Sequence, residues 1–148
     1  MPRPVAIDAE PCPVARCVDI LGDRWSLLIV RDAFDGVRRF GDFQRGLRMA
    51  RNILSDRLHK LVEAGILALQ PASDGSAYQE YVLTPRGEKL FPVIVALRQW
   101  GEQQLFASGE RHSLLLDLRT QRPVPFMQPV AEDGRVLAPD ATVVRKIA

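Results

Sequence analysis

The stretch that decides the fold is RFGDFQRGLRMARNILSDRLHKLVEAG, residues 39–65. Its apolar residues recur at helical spacing in two segments, which predicts a short helix over 40–47 and a longer one from 50 to 64. Gly65 suits the position just after a helix C-terminus. Two helices joined by so short a connection are typical of a helix-turn-helix.

The longer of these two helices has an apolar and a polar side. At about 100° per residue, one stripe contains Ala50, Leu54, Leu58, Leu61 and Val62. The opposite arc contains Arg48, Asn52, Ser55, Asp56, His59 and Lys60. Arg51 and Arg57 flank the apolar stripe. The helix is therefore expected to pack on one side and to offer a polar, mostly basic surface on the other.

Upstream of this pair, two more helices are predicted. Pro13 suits a first helical position and opens a periodic segment over 13–21. Asp23 is a good N-cap for a helix over 24–34, which is apolar nearly all round and is expected to be central and buried.

Downstream, alternating residues predict strands over 66–70 and 78–83, with Asp74-Gly75 as the hairpin signal between them. Thr84-Pro85 opens a long helix that is expected to reach about residue 108, with Pro92 kinking or offsetting its start. The resulting fold class is mainly α with a β-hairpin wing, a winged helix-turn-helix.

Beyond Gly109 the pattern changes to short apolar runs. Strands are expected over 114–118, 124–130 and 142–147, with a tight turn over 132–135. The sequence thus predicts a winged-helix DNA-binding and dimerisation domain over 11–107 and a small C-terminal β-appendage over 108–148.

Charge is concentrated in one segment of the 148-residue chain. The whole chain has a net charge of +2, but residues 38–60 include seven basic and two acidic side chains, so this segment carries +5 and the rest carries −3. Such a concentration favours a polyanionic partner, with a merely solvated helix face as the alternative.

Several protein classes do not fit this composition. Two cysteines are too few for a secreted disulfide scaffold, no apolar run is long enough to cross a bilayer, and the N-terminus lacks a signal-peptide core. We therefore expect a cytoplasmic protein that keeps its thiols reduced and has no membrane partner. Phosphate-loop, nucleophile-elbow and zinc-ligand spacings are missing, so neither an enzyme nor a metal or cofactor is predicted.

A set of motifs along the chain carries a family resemblance. They are Cys12-Pro13-Val14, Leu21-Gly22-Asp23-Arg24-Trp25, Leu27-Leu28-Ile29, Arg39-Phe40-Gly41-Asp42-Phe43, Leu54-Ser55-Asp56-Arg57-Leu58, Leu61, Ala64-Gly65-Ile66-Leu67 and Tyr81-Val82-Leu83-Thr84-Pro85-Arg86-Gly87. In this order and spacing, over about residues 11–106, the chain resembles HxlR-type winged-helix regulators. The resemblance implies a bacterial homodimeric transcription factor, which we expect to act as a repressor and to be nucleoid-associated when bound.

The resemblance also implies that the first helix and the long helix after the wing form the dimer interface. The candidates there are Val14, Cys17, Val18, Phe91, Ile94, Leu97, Trp100 and Leu105. The tail looks like the β-tail of longer members, some of which have cysteine pairs there. It contains no cysteine, so no zinc site is carried over.

DNA contact is assigned to the polar helix face and its flanks. The candidates are Arg38, Arg39, Arg48, Arg51, Asn52, Ser55, Arg57, His59 and Lys60. Arg51, Asn52 and Ser55 lie in the first turns, where such a helix meets base edges, whereas Lys60, Arg38 and Arg39 suit phosphates. Arg57 has a second interpretation as a structural ion-pair partner. The wing tip has no Arg or Lys, so little phosphate contact is expected from it. A homodimer of this kind predicts double-stranded DNA with a pseudo-palindromic operator.

Cys12 is the redox candidate. It precedes Pro13 at a helix start, where the helix dipole favours a thiolate, and several regulators of this type have a sensing cysteine at this place. Asp8 and Glu10 oppose that effect, and an inert half-buried thiol is the alternative.

Two other functions stay open. Trp25, Trp100, Phe91 and Phe106 could line an effector pocket at the dimer seam, so the inducer would be a small molecule rather than an oxidant. A protein–protein module without DNA binding is the other alternative, and a wing tip without Arg or Lys favours it.

Overall fold

The computed structural model describes residues 11–147. The chain divides into two compact units, one ending at Phe91 and the other beginning at Pro92. The elements up to the boundary are α1 (Pro13–Leu21), α2 (Arg24–Phe34), α3 (Phe40–Leu47), α4 (Arg51–Glu63), β1 (Leu67–Pro71), β2 (Gln79–Leu83) and α5 (Pro85–Glu88). Then follow α6 (Phe91–Gln104), which starts at the boundary, and a 3-10 helix (Pro139–Ala141). The winged helix-turn-helix is confirmed, while the domain division at residue 107 stays a prediction.

The core of the first unit is built around α2. Asp23 caps this helix by accepting hydrogen bonds from the backbone N–H groups of Trp25 (2.8 Å) and Ser26 (2.9 Å). Ile29 and Val30 are fully buried, and α2 contacts α1, α3, α4 and β2. The central, buried position predicted for this helix is confirmed.

The two helices of the motif are joined by a tight turn at Arg48. This residue ends α3 in the left-handed conformation, with φ of 55°. From α3 and the turn, Phe43, Leu47 and Met49 are buried in the core. The boundaries of α4 lie within one residue of the prediction. Of its predicted apolar stripe, Leu54, Leu58 and Leu61 are buried as expected, whereas Val62 is half-buried and Ala50, the N-cap, is exposed.

The wing is an antiparallel hairpin in which Leu67 pairs with Leu83 and Pro71 with Gln79. Gly75 provides the positive φ (77°) of its turn, as the Asp-Gly signal predicts. The base of the wing is close-packed, because a Cβ at position 87 would lie 2.1 Å from the carbonyl oxygen of Ile66. Only glycine lets α5 approach the backbone of Ile66, the residue before β1, in this way.

The prediction of a single long helix from Pro85 to about residue 108 is wrong. The chain forms α5, leaves the regular helix at Lys89 and Leu90, and begins α6 at Phe91, with Pro92 in the first turn. Proline has no N–H to donate to the preceding turn, so it is tolerated only near a helix start. α6 ends at Gln104, four residues before the expected end.

The strands predicted in the tail do not form. The segments over 114–118 and 124–130 contribute only isolated antiparallel bridges, Leu116 with Pro123 and Val130 with Val136, and 142–147 has no regular structure. Pro123, Pro125 and Pro129 remove backbone donors that a continuous ladder needs. The turn over 132–135 is present, with Gly134 at φ of 88°.

Candidate nucleic-acid interface

The polar face of α4 is exposed along its whole length. The exposed side chains are Arg51, Asn52, Ser55, Asp56, His59 and Lys60. On the opposite side Leu54 and Leu58 are fully buried and Leu61 is 1% exposed. The helix therefore offers hydrogen-bonding groups suited to base edges on a rigid, packed support.

Two cations near the start of α4 have no acidic partner within ion-pair distance among residues 11–147. They are Arg48, exposed at the turn, and Arg51, whose guanidinium lies 5.2 Å from the centre of the Phe40 ring. A guanidinium held over an aromatic ring keeps its donors free. These two arginines are ready to bind an anion without first breaking an ion pair.

Farther along α4 the polar side chains form exposed pairs one turn apart. Lys60 Nζ lies 3.2 Å from Asp56 Oδ2, and His59 Nε2 lies 2.7 Å from Glu63 Oε1. Exposed pairs of this kind contribute little to stability, so Lys60 can exchange its carboxylate for a phosphate at small cost. Asp56 has a lowered pKa because Lys60 donates a hydrogen bond to it.

Arg57 is held inside the protein's own structure. Its side chain is 25% exposed; Nε donates to Asp23 Oδ1 at 3.2 Å and Nη1 donates to Asp56 Oδ2 at 2.6 Å. Partial burial disfavours the charge of Asp23, but hydrogen bonds from Ser26 and Trp25 and the charge of Arg57 outweigh it and lower the pKa of Asp23. This geometry favours the structural interpretation of Arg57.

Arg38 and Arg39 lie away from α4 and point toward the wing. Arg38 Nη1 is 4.0 Å from Oε1 of Glu80, a buried carboxylate that also accepts from the Ser73 N–H at 2.7 Å. The Arg39 guanidinium lies 5.2 Å from the Tyr78 ring centre and pairs with Asp74 at the wing tip. The wing therefore has a cation supplied from outside the hairpin, which the sequence of the tip alone does not reveal.

Cys12 is half-buried at the N-cap of α1. Its Sγ accepts a hydrogen bond from the Ala15 N–H at 3.5 Å. Asp8 and Glu10, which the sequence places nearby, lie outside the described residues. The predicted position at a helix start is confirmed, and the reactivity of the thiol stays a prediction.

The predicted dimer residues are mostly exposed within the single chain. On α1 the side chains of Val14 (70%), Val18 (54%) and Cys17 are exposed. On α6 the exposed candidates are Phe91, Leu97 and Trp100, while Ile94 is half-buried, and Leu105 is exposed just after the helix ends. Large apolar surface of this kind is typical of an interface. Trp25 is half-buried on α2 and Phe106 is exposed, with its ring 4.9 Å from that of His112.

Within the described range, 11–147, no cluster of three His, Cys, Asp or Glu side chains could hold a metal ion. No helix in that range is long and apolar enough to cross a membrane.

Comparison with known proteins yields a family match and similar structures. The HxlR-like helix-turn-helix family matches residues 20–108. An uncharacterised HTH-type transcriptional regulator of Mycobacterium bovis is 48% identical over 92 residues, which are 62% of this chain and 58% of that protein. This chain thus spans less than two thirds of that relative.

Two solved structures extend the comparison. PA1607, described as a candidate transcription factor, is 52% identical, with a TM-score of 0.87 over 91% of this chain and 94% of its own. The redox regulator HypR in its reduced form is 27% identical, with a TM-score of 0.58 over 64% of this chain and 94% of its own, and it is also known in an oxidised form. All three proteins are described as regulators or transcription factors, a DNA-binding rather than an enzymatic class.

Proposed function

Because this chain belongs to the HxlR-like helix-turn-helix family, we propose that it is a sequence-specific DNA-binding transcriptional regulator that acts as a homodimer. The observation that carries the proposal is the exposed α4 face, where Arg51, Asn52 and Ser55 lie close to Arg48, which has no ion-pair partner among residues 11–147. Arginine and asparagine side chains read guanine and adenine edges in the major groove, and a helix of this kind fits that groove.

The proposed contacts fall into two groups. Arg51, Asn52 and Ser55 face base edges, and Arg48, His59 and Lys60 face the phosphates on either side. Arg38 and Arg39 lie by the wing and add phosphate contacts there, while Arg57 mainly positions α4 through Asp23. Binding should therefore weaken steeply with salt, because each phosphate contact releases counterions.

The homodimer is supported by the exposed apolar side chains of α1 and α6. Two-fold symmetry then places two α4 helices on a pseudo-palindromic operator, with half-sites about one helical turn or a multiple apart. Sedimentation equilibrium at micromolar concentration tests this directly. A monomer under those conditions would contradict the symmetric operator.

A repressor controlled by Cys12 oxidation is the more specific form of the proposal. The position of Cys12 at the α1 N-cap and the likeness to HypR support it. The oxidised state would join Cys12 of the two protomers, with loss of two thiol protons and two electrons to an oxidant such as diamide. Joining two α1 helices would change the distance between the α4 helices and weaken operator binding.

The test is fluorescence anisotropy with DNA from upstream of the protein's own gene and its divergent neighbour. Reduced and diamide-treated protein are compared, together with Cys12→Ser and the control Cys17→Ser. Salt-sensitive binding that oxidation abolishes in the parent protein and in Cys17→Ser, but not in Cys12→Ser, supports the full proposal. Binding that ignores diamide keeps the regulator and favours a small-molecule inducer. Lack of binding to specific and random DNA alike favours the protein–protein module.

A further inference from the structure

A cleft of about 690 Å³ separates the wing from α3 and the start of α4. Its walls contribute three arginines, Arg39, Arg45 and Arg51, together with the rings of Phe40 and Tyr78. Guanidinium groups beside aromatic rings at the edge of a DNA-binding helix are suited to hold a phosphodiester, since arginine binds phosphate and carboxylate with the same forked geometry.

In the free protein two of these three arginines already form an ion pair with a carboxylate of the same chain. Arg39 pairs with the carboxylate of Asp74, and Arg45 pairs with Asp42 on its own helix. The two pairs differ, because Arg45 and Asp42 are three residues apart whereas Arg39 and Asp74 join the start of α3 to the wing tip, 35 residues later. The Arg39 pair therefore joins the wing tip to the start of α3.

The wing tip holds Asp74 in place for this contact. Its Oδ1 accepts a hydrogen bond from the Ser76 N–H at 2.9 Å, and the Ser76 hydroxyl lies 3.4 Å from the same guanidinium that binds Oδ2. The Tyr78 ring packs against Arg39, with 5.2 Å between the guanidinium and the ring centre. Hydrogen bonds from Ser76, with the further contribution of Arg39, keep the pKa of Asp74 at about 2, so the carboxylate is ionised at neutral pH.

We propose that this cleft is a second phosphate site of the DNA interface, and that in the free protein Asp74 fills it as an intramolecular substitute for the phosphate. The inference rests on the proposed DNA-binding function. A DNA phosphate that reaches Arg39 competes with Asp74 for the same guanidinium, and the repulsion between the two anions favours movement of the wing tip away from it. Asp74 thereby weakens binding to any duplex that does not move the wing. It also makes movement of the wing depend on the binding of a DNA phosphate at Arg39.

Asp74→Asn tests this mechanism without loss of the turn. The asparagine side chain can still accept from the Ser76 N–H but no longer competes as an anion. The matched control is Asp133→Asn, which removes the same charge from a turn in the tail where the carboxylate pairs with Arg135. Both variants raise the net charge by one, so a general charge effect would appear in both.

The measurement is anisotropy-detected binding of a labelled random-sequence 30-base-pair duplex across a salt series. Asp74→Asn should bind about three- to tenfold more tightly at low salt, with a salt slope steeper by about one contact, while Asp133→Asn stays near the parent. In an Arg39→Ala background the gain from Asp74→Asn should vanish, because the site that Asp74 fills is gone.

Three results would overturn the inference. They are equal affinity of Asp74→Asn and the parent, equal gains in Asp74→Asn and Asp133→Asn, and a gain that persists in the Arg39→Ala background. In each of these cases the parent still binds DNA, so the proposed function stands. If the parent and every variant fail to bind any duplex, the proposed function fails together with this site.

Discussion

The Nε of Arg57 on α4 donates a hydrogen bond across 3.2 Å to Oδ1 of Asp23, the residue that caps α2. The same carboxylate accepts from the backbone N–H groups of Trp25 and Ser26. One side chain therefore both starts the central helix and fixes the helix that carries the candidate DNA contacts. Loss of this carboxylate should lower the stability of the fold. It should also weaken DNA binding indirectly, because α4 loses a contact that fixes its position.

Asp23→Ala is expected to lower the free energy of unfolding by about 0.5–2 kcal/mol at pH 7, the usual loss for an N-cap. The folded-state pKa of Asp23 is lower than its ordinary value of 3.8, so its contribution is present above pH 4 and is lost as the pH falls through the folded-state value. Urea denaturation at pH 7 and pH 3 measures both effects, and the difference between parent and variant should shrink at pH 3.

Asp35→Asn is the control for this experiment. Asp35 is exposed and makes no side-chain hydrogen bond within residues 11–147, so its replacement should change stability by no more than about 0.5 kcal/mol. An Asp23→Ala variant as stable as Asp35→Asn at pH 7 would contradict the cap.

Arg48→Asn should separate folding from DNA binding. Arg48 has a left-handed backbone (φ 55°), a conformation that asparagine adopts more easily than arginine. The melting temperature should therefore stay the same or rise, while affinity for random DNA falls and the salt slope decreases by about one contact. A variant that melts higher and binds DNA as tightly as the parent would remove Arg48 from the interface.

Arg51→Ala and Lys60→Ala should weaken operator binding in different ways. Loss of a base-reading arginine should cost about 1–3 kcal/mol on the operator and relax its preference over random DNA. Loss of a phosphate-binding lysine should weaken operator and random DNA alike and reduce the salt slope. Anisotropy titrations on both duplexes distinguish the two patterns, with Arg111→Ala, an exposed arginine of the tail, as the control. Equal losses on both duplexes for Arg51→Ala would place that side chain on the backbone instead.

The sequence is sufficient for α1 to α4 and for the wing because their signals are local. Asp23, Gly65 and Asp74-Gly75 mark starts, ends and turns through interactions only a few residues long, and these elements form within about one residue of their predicted limits. The prediction of strands in the tail is wrong for the opposite reason. Such strands depend on pairing between distant segments, and the prolines interrupt that pairing.

Long-range contacts account for what the sequence does not disclose at the site. The wing tip contains no Arg or Lys, yet Arg39 supplies a cation to it from a position 35 residues earlier. Likewise the partner of Arg57 lies 34 residues upstream, at the start of another helix. Periodicity assigns a residue to a face of a helix but not to its partner, so both pairings require the tertiary structure.

Gln99 on α6 should control how firmly the tail is held in the second unit. Its buried amide donates to the Pro125 carbonyl at 3.0 Å and accepts from the Met127 N–H at 2.7 Å. Gln99→Glu keeps the acceptor but loses the donor and sets a carboxylate against a carbonyl, so the amide of Met127 should lose hydrogen-exchange protection and trypsin should cleave faster after Arg119. The exposed neighbour Gln103→Glu introduces the same charge on the same helix and should leave both readouts unchanged. Equal protection at Met127 in the parent and in Gln99→Glu would mean that contacts other than this amide hold the segment.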